Sequence, residues 1–493
     1  MKTHRVKTKV ICILGVFACT INISCKKLIA IDEPINTLTT TEIFSTDATA
    51  TAAMAGVYST MINGTNGGSV NSATTIFSGG LSTSLGALSA DELNSASADV
   101  YNSNHLTVLN AQASSSLWIS AYNIIYKANS VIEGIELSKS PALHDQVRVE
   151  LTAEAKFIRA FSYFYLTNFF GDVPMALTVD FNKTRNALRM PQQQVYQQII
   201  ADLKAAQAVL PADYAAGNGQ RIIPNKSAAT LLLARVYLYT RDYAGAAAQA
   251  SEVISNNSLY QLEPDLNNVF ATASREAVWQ LAQTTADPQL KNGTPEGFIF
   301  IPLVLDHHSL APYVLTNQLL SAFESGDKRR GNWVDSTDYS YGASSPPFSY
   351  YPHKYVIGSA NADASQAPPQ YYTALRLAEA YLIHAEALAN GAPGGVNAAI
   401  ADLNTIRGRA GLPGLAPGLS EQQVKTAVAH EWQIEYFAEW AHRWFDLRRT
   451  GKAHDALSVI PAKQPWAGDY QLLYPIPQAE ITFDPFLKQN PGY

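Results

Sequence analysis

KSAATLLLARVYLYT, residues 226–240, followed at once by a second apolar-periodic stretch from Tyr243 to Ile254, decides the fold. Neither stretch contains proline, and Ala, Leu and Val recur near the 3.6-residue period of a helix. Two helices joined by so short a turn must lie antiparallel and pack on each other. The arrangement returns at Leu375 to Asn390 (LRLAEAYLIHAEALAN) followed by Val396 to Arg409. Ser116 to Leu137, Val147 to Phe170 and the amphipathic Gln192 to Leu210 carry the same period, and Gly171 and Pro174 end the second of them. Thr41 to Met61 reads as an earlier helix, with Ile43, Phe44, Ala48, Ala52, Ala55 and Tyr58 on one face.

Helices of about 12 to 15 residues, Ala-rich where they approach and bearing Tyr at the crossing, resemble tetratricopeptide units, of which the chain has roughly four pairs. Periodicity alone fits generic helical hairpins equally, because no single copy keeps the full repeat consensus. The expected class is mainly α: a right-handed tetratricopeptide-like superhelix with a loop-rich insert. That insert spans about 259–370. There Glu276-Ala-Val-Trp-Gln-Leu reads as a short strand, and Pro, Gly, Tyr, Ser and Asp replace the helical pattern. Residues 41–493 are read as one domain, and function is expected on its insert.

Hydrophobic residues at 47% and charged residues at 15% exclude a disordered chain. The net charge of -6 leaves no basic excess for nucleic acid. Lys2, Arg5, Lys7 and Lys9 precede a mostly apolar run from Val10 to Ile23, too short to span a bilayer, so residues 1–24 read as a lipoprotein signal peptide. Without those four charges, 31 basic face 41 acidic residues, a net charge of -10. All three cysteines, Cys12, Cys19 and Cys25, lie in or beside this leader. Cys25 is the expected lipidation site, heading a tether over 25–40 that several fatty chains would hold on a membrane. Val16-Phe17-Ala18-Cys19 is the alternative, since Asn22 stands where such signals prefer Leu. No later stretch is apolar enough for a transmembrane helix.

A catalytic reading finds little support. Glu431, Glu435 and Glu439 stand at i, i+4 and i+8, expected on one side of a helix and salt-bridged by the nearby Arg443, Arg448 and Arg449 rather than arranged for glycoside cleavage. Asp306-His307-His308 is the only histidine cluster and lacks a second ligand set. No GxSxG, P-loop or GxGxxG fingerprint appears. The chain is therefore expected to be no enzyme, with no catalytic residue, metal or cofactor. Aromatics in polar segments are the better lead, since a ring can stack on a sugar face while nearby amides and carboxylates bond its hydroxyls. Tyr101, Tyr313, Trp333, Tyr339, Tyr341, Tyr350, Tyr351 and Trp466 are such rings.

Seven motifs in order carry a family resemblance: the tether Cys25-Lys-Lys-Leu-Ile-Ala-Ile-Asp-Glu-Pro34, LTAEAKFIRAFSYFYLTNFFGDVPM from Leu151, RIIPNKSAATLLLARVYLYTRDYAGA from Arg221, RLAEAYLIHAEAL from Arg376, LNTIRGRAGL from Leu403, HRWFDLRRTG from His442, and the ending YPIPQAEI to QNPGY. Together they resemble the SusD/RagB family of nutrient-binding outer-membrane lipoproteins. The resemblance implies a lipid-anchored protein of the outer membrane, facing the cell exterior, with a SusC-like TonB-dependent transporter as partner and a glycan, or in some branches a peptide, as ligand. It implies no nucleic-acid partner. Most motif residues, Arg159, Asn225, Arg376, Glu379, Arg407, Arg409 and Arg443 among them, are expected to be structural. The ligand site is implied only by region: Asn94, Tyr101 and Asn102 after Ala90-Asp91-Glu92, and Phe298, Tyr313 and Tyr351 in the insert. Ala441 departs from the Gly frequent in relatives, which reads as a packing detail. The alternative function is a tetratricopeptide-like scaffold or adhesin with a peptide groove, which needs Asn, Lys and Arg on concave helix faces that here read as Ala, Leu and Tyr.

Overall fold

The computed structural model describes residues 40–64, 73–95, 99–284, 288–304, 308–338 and 348–493. The leader, Cys19, Cys25 and the tether as far as 39 lie outside these residues, as do Asp306, His307, Tyr339 and Tyr341.

The helical stack is as expected. It runs α1 (Asp47–Asn63), α2 (Gln112–Leu137), α3 (Asp145–Phe170), α4 (Gln192–Val209), α5 (Lys226–Tyr239), α6 (Tyr243–Ile254), α7 (Leu377–Ala389), α8 (Gly395–Arg409), α9 (Glu421–Glu435) and α10 (His442–Arg449). From α2 to α8 each helix packs on the next, so the stack closes α6 directly onto α7 and the chain between them is a true insert. Small side chains permit that closure: α6 buries Ala246, Ala247 and Ala250, and α7 buries Ala378, Ala380 and Ala385. The helix expected from Thr41 is split instead. Thr46 caps α1 in a reciprocal box with Thr49, and Thr40–Ile43 forms a separate turn. Asn225 caps α5 by accepting from the Ala228 amide.

Buried guanidiniums tie the stack across layers. Arg159 on α3 donates to both oxygens of Asp202 on α4, each at 2.8 Å, and to Asn129 on α2. Arg235 on α5 donates to both oxygens of Glu379 on α7. Between them lies an aromatic core in which Phe161 and Tyr165 meet Trp440, and Phe157 and Phe161 meet Trp279 edge-on at 5.0 and 5.2 Å. Among the described residues no helix is long and apolar enough to cross a membrane.

The strands are β1 (Leu93–Ser95), β2 (Ala277–Leu281), β3 (Tyr313–Leu315), β4 (Val334–Thr337), β5 (Ser349–Pro352) and β6 (Tyr372–Arg376), with a further two-residue ladder between Val173–Pro174 and Arg189–Met190. They pair antiparallel in twos: β1 with β3, β2 with β6, β4 with β5. Two helix boundaries need correction here. Leu375 and Arg376 belong to β6, and α7 starts at Leu377 because Arg376 is extended. Glu439 is not on the helix of Glu431 and Glu435: α9 ends at Glu435, and Ala438, Trp440 and Ala441 turn the chain through positive φ.

Their salt-bridge partners also differ from those expected. Arg376 donates to Glu276 at 3.1 Å, to Glu435 at 2.5 Å and to both oxygens of Glu439, with Tyr436 stacked on its guanidinium. Arg409 adds bonds to Glu276 and Glu435, Arg329 to Asp327, Glu431 and Glu435, Arg407 to Glu431 and Glu324, and Lys354 to Glu439. Arg443 and Arg449 serve Asp91 and Glu386 elsewhere. Burial alone would push the Glu435 carboxyl up, but Arg409, Arg376 and Arg329 hold it well below the usual carboxylate range. Removing one member strands the others without solvent. Arg376→Ala is therefore expected to lower the unfolding free energy by about 3–5 kcal/mol, whereas Lys226→Ala, which breaks an exposed pair with Glu252, should cost about 1 kcal/mol or less; urea unfolding of both variants measures the contrast.

Candidate ligand-binding site

Two segments far apart in the chain meet at one surface. β1 follows Asp91 and Glu92, and β3 lies in the insert; their ladder sets Asn94 opposite Val314 and Ser95 opposite Tyr313. Thr316 locks the register, its amide donating to the Glu92 carbonyl and its hydroxyl to that of Asp91. Below, Arg443 grips both oxygens of Asp91 at 2.8 and 2.7 Å.

The loop after β1 folds back on the ladder. Asp99 caps the turn Val100–Ser103 by accepting from the Tyr101 amide, and Asn102 Oδ1 accepts from the Ser95 amide. Lys463 arrives from the C-terminal region, its Nζ donating to the carbonyls of Leu88 and Asn102 at 2.9 and 2.8 Å. Burial pushes this amine down to about 7. Three residues on, half-buried Trp466 donates to Asp469, which also binds His454, while the Pro465 carbonyl meets His105. Trp466 thus flanks the loop that carries Asn102, a neighbourhood with no local signal in the sequence.

Four of the six ligand-binding candidates, Asn94, Asn102, Phe298 and Tyr313, are half-buried. Tyr313 sets its ring edge-on to Phe300 at 5.9 Å, whereas the Phe298 ring lies against Gly293. The other two turn inward. Tyr101 is 3% exposed, its ring edge-on to Tyr474 and its hydroxyl accepting from the Ser114 amide; burial raises that hydroxyl to about 12. Tyr351 is also 3% exposed, packed with Ile301 and Ala311 and donating to Asp335. Both phenols find partners for their polar edge while the rings are buried, so neither ring face is presented to a ligand. Trp333 is buried as well, donating to the Leu266 carbonyl, while Tyr350 stays half-buried beneath Arg330.

Two further titratable clusters are paired within the protein. His308 Nδ1 lies 2.6 Å from Asp338. Glu324, His430 and Glu431 have ligand atoms within 4.8 Å of one another, but one nitrogen of Arg407 bridges the two carboxylates at 2.5 and 2.9 Å, where a metal ion would have to sit.

Residues 315–493 match the family model described as SusD family, and residues 42–238 match that described as "Starch-binding associating with outer membrane". The chain belongs to the SusD family. It is 27% identical over 418 residues to SusD-like protein P2 of Formosa agariphila, covering 77% of this chain and 80% of that one. A SusD superfamily protein from Bacteroides vulgatus superposes with a TM-score of 0.74 at 22% identity, over 92% of this chain and 100% of the other. A laminarin-binding SusD-like protein superposes at 0.72 with 24% identity, over 91% and 100%. The two family models leave residues 239–314 between them unmatched, and that interval holds Phe298 and Tyr313.

The short helix Pro295–Phe300, which carries Phe298 and Phe300, is fixed by Glu296. That carboxyl is 2% exposed and accepts from Thr83 at 2.5 Å and Tyr372 at 2.9 Å; burial raises it to about 8. A folded-state value above the unfolded one means that the folded chain holds the extra proton. This contribution to stability is complete below about pH 4.5 and is lost as pH rises through about 8. Glu296→Gln keeps the neutral shape, so the drop in its urea midpoint between pH 5 and pH 8.5 should be smaller than that of the parent protein.

Proposed function

We propose that this protein captures an oligosaccharide or polysaccharide at the cell surface and delivers it to a SusC-like TonB-dependent outer-membrane transporter, performing no chemistry itself. The observation that carries the reading is the β1–β3 ladder, on which Tyr313 shares a face with Ser95 while Asn94 and Val314 take the other, with the Asn102 loop bound to the Ser95 amide and Trp466 beside that loop. A half-buried tyrosine with a side-chain amide nearby is the equipment for sugar, whose faces are apolar and whose rim is polar. The laminarin-binding relative of like fold and the starch-binding description of the matched family model support a glycan over a peptide. Acylation at Cys25 would hold the chain at the outer membrane.

Half-buried side chains on a two-stranded ladder form a shallow site, and a shallow site binds weakly. Weak binding suits a protein that must release its cargo. The carboxylates that could have served a glycosidase, Glu431, Glu435 and Glu439, are bound to arginines and lysine in the interior.

Isothermal titration of the chain from Lys26 onward against laminarin and soluble starch is expected to show saturable binding without release of reducing ends. Tyr313→Ala should weaken that binding about tenfold, the worth of roughly 1.4 kcal/mol of stacking, and unchanged affinity in the folded variant would remove Tyr313 from the site. Tyr101→Ala should instead act through stability, by emptying a core position.

A further inference from the structure

The β1–β3 surface is built from chain without strong cations. β1 and the turn Val100–Ser103 come from residues 28–126, which contain no Lys or Arg, and β3 comes from a second such stretch, residues 292–327. This is a property of the sequence, so it holds for every loop in those intervals. The cations that reach the surface from elsewhere are spent. Lys463 is the one Lys or Arg of residues 453–487; it is 2% exposed, and its Nζ donates to the Leu88 and Asn102 carbonyls. Arg443 holds both oxygens of Asp91. Of the histidines nearby, His105 meets the Pro465 carbonyl at 3.1 Å and His454 the Asp469 carboxylate at 2.9 Å.

A carboxylate stands where a cation does not. Asp99 is half-buried and lies near Tyr313: burial, and after it the charge of Asp99, hold the Tyr313 hydroxyl above its usual range. Asp99 Oδ1 accepts from the Tyr101 amide at 2.7 Å, and Oδ2 has no hydrogen-bond partner among the described residues. Asn102 is its complement. Its Oδ1 accepts from the amide of Ser95, the residue paired with Tyr313 on the ladder, at 3.3 Å; this commits the oxygen and leaves Nδ2 without a partner among the described residues.

A carboxylate oxygen accepts from hydroxyls, and an amide nitrogen donates to them. The two groups can therefore hold neighbouring hydroxyls of a sugar whose apolar face meets the Tyr313 ring. A uronate or sulfate ester in the same position would face Asp99 with no Lys or Arg to balance it, and like charges brought together across an interface weaken binding steeply. The equipment of this surface thus fits hydroxyls and opposes anions.

We infer that this surface selects uncharged glycans, with Asp99 as a ligand-binding residue that accepts sugar hydroxyls beside Tyr313 and turns away uronates and sulfate esters. This rests on the glycan reading of the same surface. The test is isothermal titration of the chain from Lys26 onward with three uncharged polysaccharides, laminarin, soluble starch and galactomannan, and three anionic ones, alginate, polygalacturonate and carrageenan. Saturable binding is expected for at least one of the uncharged set, and binding about tenfold weaker, or none, for the anionic set. Asp99→Asn and Asp99→Ser each keep a side-chain oxygen to cap the Tyr101 amide, so both should fold, as an unchanged urea midpoint would verify. Both should bind that uncharged glycan about tenfold more weakly than the parent protein, since a bond to a charged acceptor is replaced by one to a neutral group. An anionic polysaccharide bound as tightly as any uncharged one, or parent-like affinity in both Asp99 variants, would overturn the inference while leaving the glycan reading in place. No binding of any of the six would remove the glycan reading and the inference with it.

Discussion

The guanidinium of Arg376 is where the two halves of this molecule are joined. It sits at the boundary of β6 and α7, the point at which the insert re-enters the helical stack. From there it reaches Glu276 on the insert side and Glu435 and Glu439 at the end of α9. Buried ion pairs add little net stability compared with a well-packed apolar core, because desolvation offsets the Coulomb gain. They do penalise every arrangement that leaves one charge alone. Lys354 shows how narrow the margin is: burial draws its amine down even with Glu439 at 2.5 Å. A net of five cations and six carboxylates therefore works as a register device, since a shift of the insert by one residue would leave several members without partners.

From this net the geometry passes to the proposed ligand surface through short, directional contacts. After Glu439 the chain turns through Trp440, whose amide donates to the Thr83 hydroxyl; that hydroxyl donates to Glu296, the anchor of the helix bearing Phe298 and Phe300. Phe300 in turn supports the Tyr313 ring. Ala441 belongs to the same turn. It is more than a packing detail: with φ at +61° it occupies the left-handed region that glycine prefers, and a methyl on Gly86 would lie 2.3 Å from its own. A glycine would meet this backbone requirement without strain, and this chain meets it with alanine at some cost.

What could be read from the residues follows from the range of the forces involved. Helices declare themselves through a period that repeats every turn, so Tyr243–Ile254 is placed with both ends correct. Where a long-range contact overrides the local pattern, the reading fails. Leu375 and Arg376 look helical beside LAEAYLIHAEAL, yet the pull of Glu276 and Glu439 keeps them extended. Tyr101 and Tyr351 fail for a related reason: a polar neighbourhood in sequence does not expose a phenol that can satisfy its hydroxyl inside, on the Ser114 amide or on Asp335. The pairing of Asn94 with Val314 and the reach of Lys463 to Asn102 depend on chain segments hundreds of residues apart, and no period records them.

The division of labour between net and surface has a physical logic. The carboxylates Glu431, Glu435 and Glu439 lie within the stretch matched by the SusD family model, Phe298 and Tyr313 lie with Glu276 in the unmatched interval, and Asn94 and Asn102 lie within the other matched stretch. A buried charge tolerates few replacements, because each one strands a partner. A half-buried residue on a two-stranded ladder tolerates many, since its backbone bonds persist whatever side chain it carries. On the proposed function, ligand choice can therefore change by substitution on the ladder and its loops without disturbing the scaffold that holds them.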